Sequence, residues 1–325
     1  MISKGSRILG MLAIAAIAAS ACTSAGATAS PTTNPTATAT VAASASSSAS
    51  ASSSASASSS ASASALATVP SSDLIKAGTL TVCSDTSYPP QEFLDANQKP
   101  TGSDVELINA IGQKLGLTVA VKTTDFNAII PALTSGTCDI IISAQTITAD
   151  RQKQVDMIPY FAAGQSFVVL KGNPDKIKTV DDLCGKTVAA EDGTVEAMHI
   201  GGTGDYKPAD GLSQQCVAKG KQPITLKTFT ADTDALLALQ AGTVAAHFTD
   251  EPVAGYEVVN GAGKFEMVAD LNLERGPEGI SVGKNHTGLR DAVKAALDSM
   301  IADGSYLQLL TKWGIQSGAV TSTNP

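Results

Sequence analysis

The chain has 325 residues, a formal net charge of −8 and only 4% aromatic residues. An acidic balance without a basic run excludes the electrostatic footprint of a nucleic-acid-binding protein. Residues 70–318 are long enough for two modest domains, whereas the residues before them have a composition that does not suit a folded core.

The N-terminus is typical of an export signal. Lys4 and Arg7 precede an apolar stretch over residues 8–19, which is too short to span a bilayer stably. The small residues 19–21 and Cys22 then resemble a bacterial lipobox, whose cysteine becomes the lipidated first residue of the mature protein. We predict a lipoprotein signal peptide over residues 1–22 with Cys22 lipidated. The alternative is an ordinary signal peptide with a chance cysteine.

Residues 23–69 have the composition of a disordered tether. Residues 42–65 are alanine and serine alone, and threonine, proline and alanine dominate before them. This stretch has no large apolar side chains whose burial could offset the entropy of ordering it. We predict a tether that leads from the membrane through a cell wall. An alanine-rich helix is the alternative, which the alternating serines disfavour.

From residue 80 onwards, hydrophobic patterning predicts two successive sets of strands and helices. The first set has strands at 80–83, 117–121 and 138–143, a proline-containing loop at 84–90, a hairpin at 93–102, and helices at 104–115 and 126–133. The second has strands at 166–170, 186–190, 224–229 and 244–248, and helices at 180–183, from 193 and at 232–240. This alternation predicts an α/β fold with parallel sheets in two lobes.

Polar residues follow the ends of these strands. They are Asp85, then Ser143, Thr146 and Arg151, then the Gly193-Thr194 pair, and Asp250. Because ligands of open α/β sheets bind beyond the carboxyl ends of the strands, we expect these residues to converge on one site.

Cysteine usage predicts disulfides. Without a C-x-x-C motif, zinc and thioredoxin-like chemistry are disfavoured, and exported cysteines tend to pair. We predict a Cys184–Cys216 bond, since both residues fall in the second set.

Four segments carry a resemblance to a known family. They are DTSYPPQEF at 85–93, GSDVELINAI at 102–111, DIIISAQTITADR at 139–151, and DGSY with KWG at 303–306 and 312–314. In this order they resemble the family 3 extracellular solute-binding proteins, which are the amino-acid-binding components of ABC importers. The resemblance covers nearly all of residues 71–315.

The resemblance implies a two-lobed, periplasmic-binding-protein-like α/β fold with two crossing hinge strands and a ligand cleft between the lobes. The crossings fall near residues 163–166 and 278–281. Lobe 1 would comprise about 70–164 plus 280–318, lobe 2 about 165–279, and residues 319–325 a tail.

The resemblance also assigns roles around the carboxylate of an amino-acid ligand. Arg151 would bind it through a two-pronged guanidinium, helped by the Thr146 hydroxyl and the backbone of Ala144 and Thr146. Thr194, at a helix start in lobe 2, would hold the same carboxylate from the other side. The alternatives are a solvated helix-start arginine with Thr148 as its N-cap, and a plain helix cap at Thr194.

Other residues would contact the rest of the ligand. Asp250 is the expected partner of the ammonium group, and Asp85 is a second acidic candidate. Tyr88 and Phe126 would form aromatic walls, although aromatic residues beside such strands are often core. Tyr88 lies in a proline-flanked loop, which argues against deep burial, and solvation is the alternative for both acids.

The acidic residues Glu191 and Asp192 depart from the neutral or basic residues frequent at these positions in the family. With Asp85, Asp250 and Glu251 nearby, they hint at a cationic ligand such as arginine, lysine or ornithine. Acidic loops that face water are the alternative.

The family register leaves a Cys83–Cys138 bond open. If the strands that hold these residues end level, the two cysteines lie about 13 Å apart. A disulfide needs Cα atoms within about 7 Å, so only a shifted register would allow the bond.

Together these features predict an extracytoplasmic binding lipoprotein, anchored to the outer face of the cell membrane, that delivers a polar amino acid to a membrane permease. We expect a monomer with no cofactor, metal or nucleic-acid partner. The alternatives are a ligand-sensing receptor subunit and a dehydratase-like enzyme. His199, His247 and His286 form no recognisable catalytic constellation, and His247 lies in a predicted strand where a structural role is expected.

Overall fold

The computed structural model describes residues 68–268 and 273–324. The predicted signal peptide, Cys22 and residues 23–67 of the tether lie outside these described residues. The strands are β1 (Thr79–Ser84), β2 (Ser87–Tyr88), β3 (Glu92–Leu94), β4 (Pro100–Thr101), β5 (Thr118–Thr123), β6 (Ile140–Ile141), β7 (Val155–Leu170), β8 (Thr187–Glu191), β9 (Thr225–Phe229), β10 (Ala246–Asp250), β11 (Phe265–Met267) and β12 (Leu273–Gly283).

The helices alternate with these strands. They are α1 (Ser103–Lys114), α2 (Ile129–Thr134), α3 (Ala149–Gln154), α4 (Val195–Gly201), α5 (Leu212–Ala218), α6 (Asp232–Gln240), α7 (Glu251–Asn260), α8 (Thr287–Asp303) and α9 (Ser305–Trp313). Short 3₁₀ turns occur at Ser71–Asp73, Phe126–Ala128, Val180–Asp182, Pro208–Asp210 and Gln316–Gly318. Within the described ranges, no helix combines the length and the apolar character that crossing a bilayer requires.

The strands form one large sheet in the order β5-β1-β6-β12-β7-β10-β8-β9, with β11 beside β7. The strands at each end, β5-β1-β6 and β10-β8-β9, are parallel, and β7 and β12 pair antiparallel between them. The long strand β7 pairs with β12 up to Gln165 and with β10 from Gln165 onwards. β7 and β12 are therefore the two strands that join the halves of the molecule, as the crossing-strand prediction requires.

Apolar cores lie on either side of these joining strands. The first packs α1, α8 and α9 on β1, β6 and the first part of β7. The second lies around β8, β10 and the last part of β7. We call the half with β1, β5 and β6 the first lobe and the half with β8, β9 and β10 the second lobe. The residue boundaries expected for the lobes and for the tail stay a prediction.

Helix α1 shows how local sequence sets the start of an element. Its buried side chains, which include Leu107, Ile108 and Ile111, recur at helical spacing and face the first core. Gly102 precedes it with φ +121°, and a Cβ there would lie 2.1 Å from the Gln91 carbonyl oxygen. Only glycine fits this entry to the helix.

Several predicted elements differ in extent from the observed ones. The predicted helix at 126–133 is a 3₁₀ turn followed by α2, and the predicted strand at 138–143 is only Ile140–Ile141. Within the proline-containing loop, Ser87–Tyr88 pairs with β3, and Tyr88 is buried rather than exposed. The position of Tyr88 between prolines predicted that this residue is not deeply buried. That prediction was wrong, because Tyr88 packs against the second lobe.

Both disulfides are formed. Cys184 and Cys216 are bonded as predicted. Cys83 and Cys138 are also bonded, with Cα atoms 5.7 Å apart. The strands are in fact nearly level, since Cys83 faces Ile141. The separation of about 13 Å expected for level strands was wrong, because Cys138 lies before β6 and is not part of the extended strand.

Candidate functional site

A small cavity lies where the strand ends of both lobes meet. It is lined from the first lobe by Tyr88, Glu92, Phe126, Ser143, Ala144, Thr146 and Arg151, and from the second by Glu191, Thr194, Val195, Glu196 and Asp250. The structure thus brings together all the predicted site residues except Asp85.

Arg151 reaches across the cavity from α3. Thr148 caps this helix: its hydroxyl accepts a hydrogen bond from the Arg151 backbone N–H. The N-cap at Thr148, predicted as part of the alternative role for Arg151, is therefore present. The guanidinium nevertheless turns inwards: Nη1 donates to the Thr146 carbonyl oxygen at 2.7 Å, and Nη2 donates to the Gly193 carbonyl oxygen at 3.0 Å. It lies 5.3 Å from the Phe126 ring centre, within cation–π range. Arg151 is therefore both a helix-start residue and a buried cation.

Burial lowers the pKa of Arg151 to about 10, while the nearby carboxyls of Glu196 and Asp250 oppose that shift. The guanidinium therefore stays charged at neutral pH. A buried cation of this kind needs an anionic partner or several acceptors.

Asp250 and Tyr88 connect the two lobes on the opposite wall. The Tyr88 hydroxyl donates to Asp250 Oδ2 at 3.0 Å and accepts from the Asp250 backbone N–H, also at 3.0 Å. Thr249 Oγ1 donates to the same hydroxyl. Tyr88 is consequently a polar contact between the lobes as well as an aromatic wall.

Thr194 and Ala144 use part of their polar groups internally. The Thr194 hydroxyl caps α4 by accepting from the Ala197 backbone N–H, and it donates to the Glu191 carbonyl oxygen. The Ala144 backbone N–H donates to Asp104 Oδ2, away from the other cavity residues. Ala144 has φ +43°, an uncommon conformation for a residue with a Cβ that tends to occur at functional sites.

Asp85 lies beside this cavity but not among its lining residues. Its Oδ1 accepts from the Ser87 backbone N–H and its Oδ2 from the Phe126 backbone N–H. The carboxylate therefore holds the two loops that carry Tyr88 and Phe126. Both carboxylate oxygens of Asp85 are engaged by the backbone, and the predicted contact between Asp85 and a ligand stays a prediction.

The cavity lining also includes three residues that were not predicted from the sequence, Glu92, Val195 and Glu196. Glu92 lies within the DTSYPPQEF segment, and Glu196 lies two residues after Thr194 in the first turn of α4. The available signal was an acidic residue within or beside a segment predicted to bind the ligand. Sequence periodicity alone does not separate them from solvated acids.

The cavity wall is strongly acidic. Glu92, Glu191, Glu196 and Asp250 are all buried, and burial raises the pKa of each of these carboxyl groups. Among the lining residues, Arg151 is the one basic side chain. The Ser143 hydroxyl donates to Glu92 Oε1 at 2.9 Å, and this hydrogen bond opposes the rise in the Glu92 pKa.

The acidic character continues behind the wall. Burial raises the pKa of Asp104 to about 6 and that of Glu278 to about 8. Glu278 accepts from Gln91 Nε2 at 2.6 Å, and Tyr160 donates to Asp104. At pH 7 Glu278 is therefore largely a neutral acid, whereas Asp104 is mostly ionised, because each buried carboxylate added to the cluster without a cation costs more.

Away from this cavity, His247 lies in β10 as predicted, between Asp232 and Glu257. The two carboxylates outweigh burial and raise the pKa of His247 well above its usual range. Nε2 faces Asp232 and Nδ1 faces Glu257. The two acids therefore hold the imidazole through its opposite ring nitrogens.

The lobes are closed around the candidate site. The enclosed volume is about 10 Å³, far below the roughly 300–1,000 Å³ of ordinary ligand pockets. Contacts across the lobes include Arg151 to Gly193 and Asn127 Nδ2 to Asp192 Oδ2 at 2.7 Å. A larger cavity of about 740 Å³ adjoins it and shares Thr146, Val195 and Asp250.

Two lobes joined by two antiparallel strands, with polar strand ends facing a common cleft, define a periplasmic-binding-protein fold. Residues 80–316 match the family described as bacterial extracellular solute-binding proteins, family 3. The chain belongs to this family, which makes it an extracytoplasmic solute-binding protein.

Similar proteins bind different amino acids. The arginine-binding protein ArgT of Corynebacterium glutamicum is 32% identical over 253 residues, which cover 78% of this chain and 79% of ArgT. The L-cystine-binding protein TcyJ of Escherichia coli is 29% identical over 237 residues, 73% of this chain and 82% of TcyJ. An ancestral arginine-binding protein, solved bound to arginine, superposes with a TM-score of 0.63 at 38% identity, covering 73% of this chain and 98% of its own. The same protein is also solved bound to glutamine.

Proposed function

We propose that this protein captures a cationic amino acid outside the cytoplasm and delivers it to the membrane permease of an ABC transporter. Family membership supports the transport role. The names of several similar proteins, which include arginine and cystine binders, support an amino-acid ligand. The role proposed is binding and release of an unchanged ligand rather than turnover.

In this proposal Arg151 and Thr146 bind the ligand carboxylate, with Thr194 and the Ala144 backbone beside it. Asp250 binds the ammonium group. To bind, Arg151 exchanges its two carbonyl acceptors for the two carboxylate oxygens, which give stronger, charge-assisted hydrogen bonds. Tyr88 and Phe126 pack on the aliphatic part of the ligand, and Asp85 supports the loops that carry them.

One observation carries the cationic preference: four buried carboxyl groups line the cavity against a single guanidinium. A neutral zwitterion balances one cation and one anion, so it leaves the other carboxyls unpaired. Glu92 and Glu191 pair with no basic side chain of the lining. A ligand with a cationic side chain can donate charge-assisted hydrogen bonds to these two carboxyl groups. Cleft closure then follows because ligand contacts from both lobes favour the closed form.

Arginine and citrulline provide a matched test, because they share shape and differ in side-chain charge. We expect isothermal titration calorimetry to show L-arginine, L-lysine or L-ornithine binding at least about 10²-fold more tightly than L-citrulline, the equivalent of about 2.7 kcal/mol. Equal binding of L-citrulline or L-glutamine would refute the cationic preference while leaving amino-acid binding intact.

A pair of variants localises the effect. Glu92→Gln should weaken L-arginine binding more than it weakens binding of any neutral amino acid. Glu106→Gln removes a carboxyl that pairs with Lys312 on the surface, 2.6 Å away, and should leave both affinities unchanged. Equal losses for cationic and neutral ligands in Glu92→Gln would show that this residue acts on folding, not on ligand charge.

We also propose that residues 1–21 are removed and that Cys22, then the first residue, carries a lipid anchor. In this proposal residues 23–69 tether the two lobes to the membrane, and the lobe boundaries lie near residues 164 and 280. The lipobox-like Ala-Ser-Ala-Cys sequence supports this. Labelling with a fatty-acid analogue should mark the wild-type chain in membranes. Cys22→Ser should lose the label, and a label that persists in Cys22→Ser would contradict the anchor.

A further inference from the structure

Glu196 and Asp250 form a buried pair of carboxyl groups on the wall of the candidate site. Glu196 lies in the first turn of α4 and is 2% exposed, while Asp250 ends β10 and is 5% exposed. Both carboxyl groups line the same cavity, and each lies within hydrogen-bonding reach of the other. Two buried carboxylates at this range repel each other and neither has a donor, whereas one proton between them removes the repulsion and supplies the donor.

The surroundings of the pair keep that proton in place. No N–H donor of the described residues reaches Glu196 Oε1. Burial raises the pKa of Glu196 to about 7, and burial and the Glu196 carboxyl raise that of Asp250 well above its usual range. The charged or titratable groups that act on the pair from neighbouring elements are Arg151 of α3, Asp232 of α6, Glu278 of β12 and Tyr88 of β2. The Glu196 backbone N–H, Arg151 and the Tyr88 hydroxyl favour the deprotonated forms, but burial outweighs them.

We propose that Glu196 is a second ammonium-binding residue, that it shares one proton with Asp250 in the closed ligand-free protein, and that a ligand ammonium group replaces this proton. The proposal rests on the proposed function and names a second residue of the same site. In the exchange, one carboxyl O–H bond breaks and the proton passes to solvent. Both carboxylates then accept N–H hydrogen bonds from the ligand, and no other covalent bond changes.

Charge balance makes this exchange selective. With one proton, the pair carries one negative charge, which matches Arg151. A neutral zwitterion adds no net charge, so losing the proton would leave a buried negative charge uncompensated, and the proton is retained. A cationic amino acid adds one positive charge, and the loss of one proton restores neutrality. The pair thereby favours ligands that carry a second cation.

Calorimetry with L-arginine tests the proton release. Titrations near pH 7 in phosphate and in Tris should give different apparent enthalpies, corresponding to release of about one proton per L-arginine bound. Glu196→Gln should release much less, because an amide cannot share the proton. Glu251→Gln, which removes the neighbouring carboxyl outside the cavity lining, should release as much as wild type. Binding without buffer dependence in wild type, or unchanged release in Glu196→Gln, would overturn the proposal.

A ligand-free measurement separates this proposal from the choice of ligand. The folded pair binds its proton more tightly than the unfolded chain, in which a glutamate has a pKa of 4.5. The unfolding free energy therefore falls as the pH rises from about 4.5 through about 7. In urea titrations without ligand, Glu196→Gln should show a smaller fall than wild type and Glu251→Gln the same fall. If L-arginine fails to bind but these titrations behave as expected, the cationic-ligand proposal fails and the shared proton stands; equal falls in all three proteins refute the shared proton.

Discussion

Replacing Arg151 should weaken amino-acid binding, and the loss of affinity should depend on whether the new side chain keeps the charge and the paired N–H donors of the guanidinium. Arg151→Met keeps the length of the side chain but removes both donors and the charge. Arg151→Lys keeps the charge and loses the planar pair of donors. The two variants therefore separate the contribution of charge from that of geometry.

The structure sets the size of the effect. Hydrogen bonds to charged groups contribute about 1.5–3 kcal/mol each, so two lost bonds amount to about 3–6 kcal/mol. Nη1 and Nη2 must give up the Thr146 and Gly193 carbonyl oxygens to receive a carboxylate, so we expect the lower half of this range. Arg151→Met should therefore lower affinity about 10²–10³-fold, and Arg151→Lys about tenfold.

Isothermal titration calorimetry with the tightest-binding amino acid measures both changes. Arg290→Met serves as the control, because Arg290 pairs with Asp156 near the surface, away from the cavity, and its loss should not change affinity. Near-ultraviolet circular dichroism checks that each variant is folded. If folded Arg151→Met bound its ligand within a few-fold of wild type, the assignment of the carboxylate to this guanidinium would be wrong.

Three further outcomes follow from the structure. The Cys184–Cys216 bond closes a loop with a sequence separation of 32, so replacing both cysteines by serine should lower the free energy of unfolding by about 4 kcal/mol in urea titrations; no change would refute the loop-entropy reasoning. Gly193 has φ +82°, and a Cβ there would lie 3.0 Å from the Asn127 backbone, so Gly193→Ala should strain the closed form and weaken ligand binding by about 1–2 kcal/mol; unchanged affinity in calorimetry would show that the lobes close differently. The pKa of Glu278 is about 8 in the folded protein against an ordinary 4.5, so its stabilising contribution is full below about pH 4.5 and is lost as the pH rises through about 8. Glu278→Gln should flatten this part of the stability profile, and a profile as steep as that of wild type would contradict the shift.

Local sequence predicted the order of strands and helices well, because the spacing of apolar residues depends only on neighbours along the chain. The apolar spacing in α1 and the residues that follow β6, β8 and β10 were readable in this way. The extents of β6 and β7 were not. A strand's length depends on how far its partners run beside it, and β7 extends to Val155 because β12 pairs with it along that stretch.

The sequence by itself determined which residue types stand at the strand ends, and so the guanidinium and carboxyl groups available to a ligand. Only the tertiary structure decided which of these groups meet and in which charge state. Glu196 and Asp250 belong to different elements, and their shared proton exists because the fold removes both carboxyls from water and places them side by side. Asp85, by contrast, carries the same chemical group but is held by two backbone N–H donors beside the cavity. Desolvation and hydrogen bonding depend on the surrounding atoms in space, which no local pattern of residues specifies.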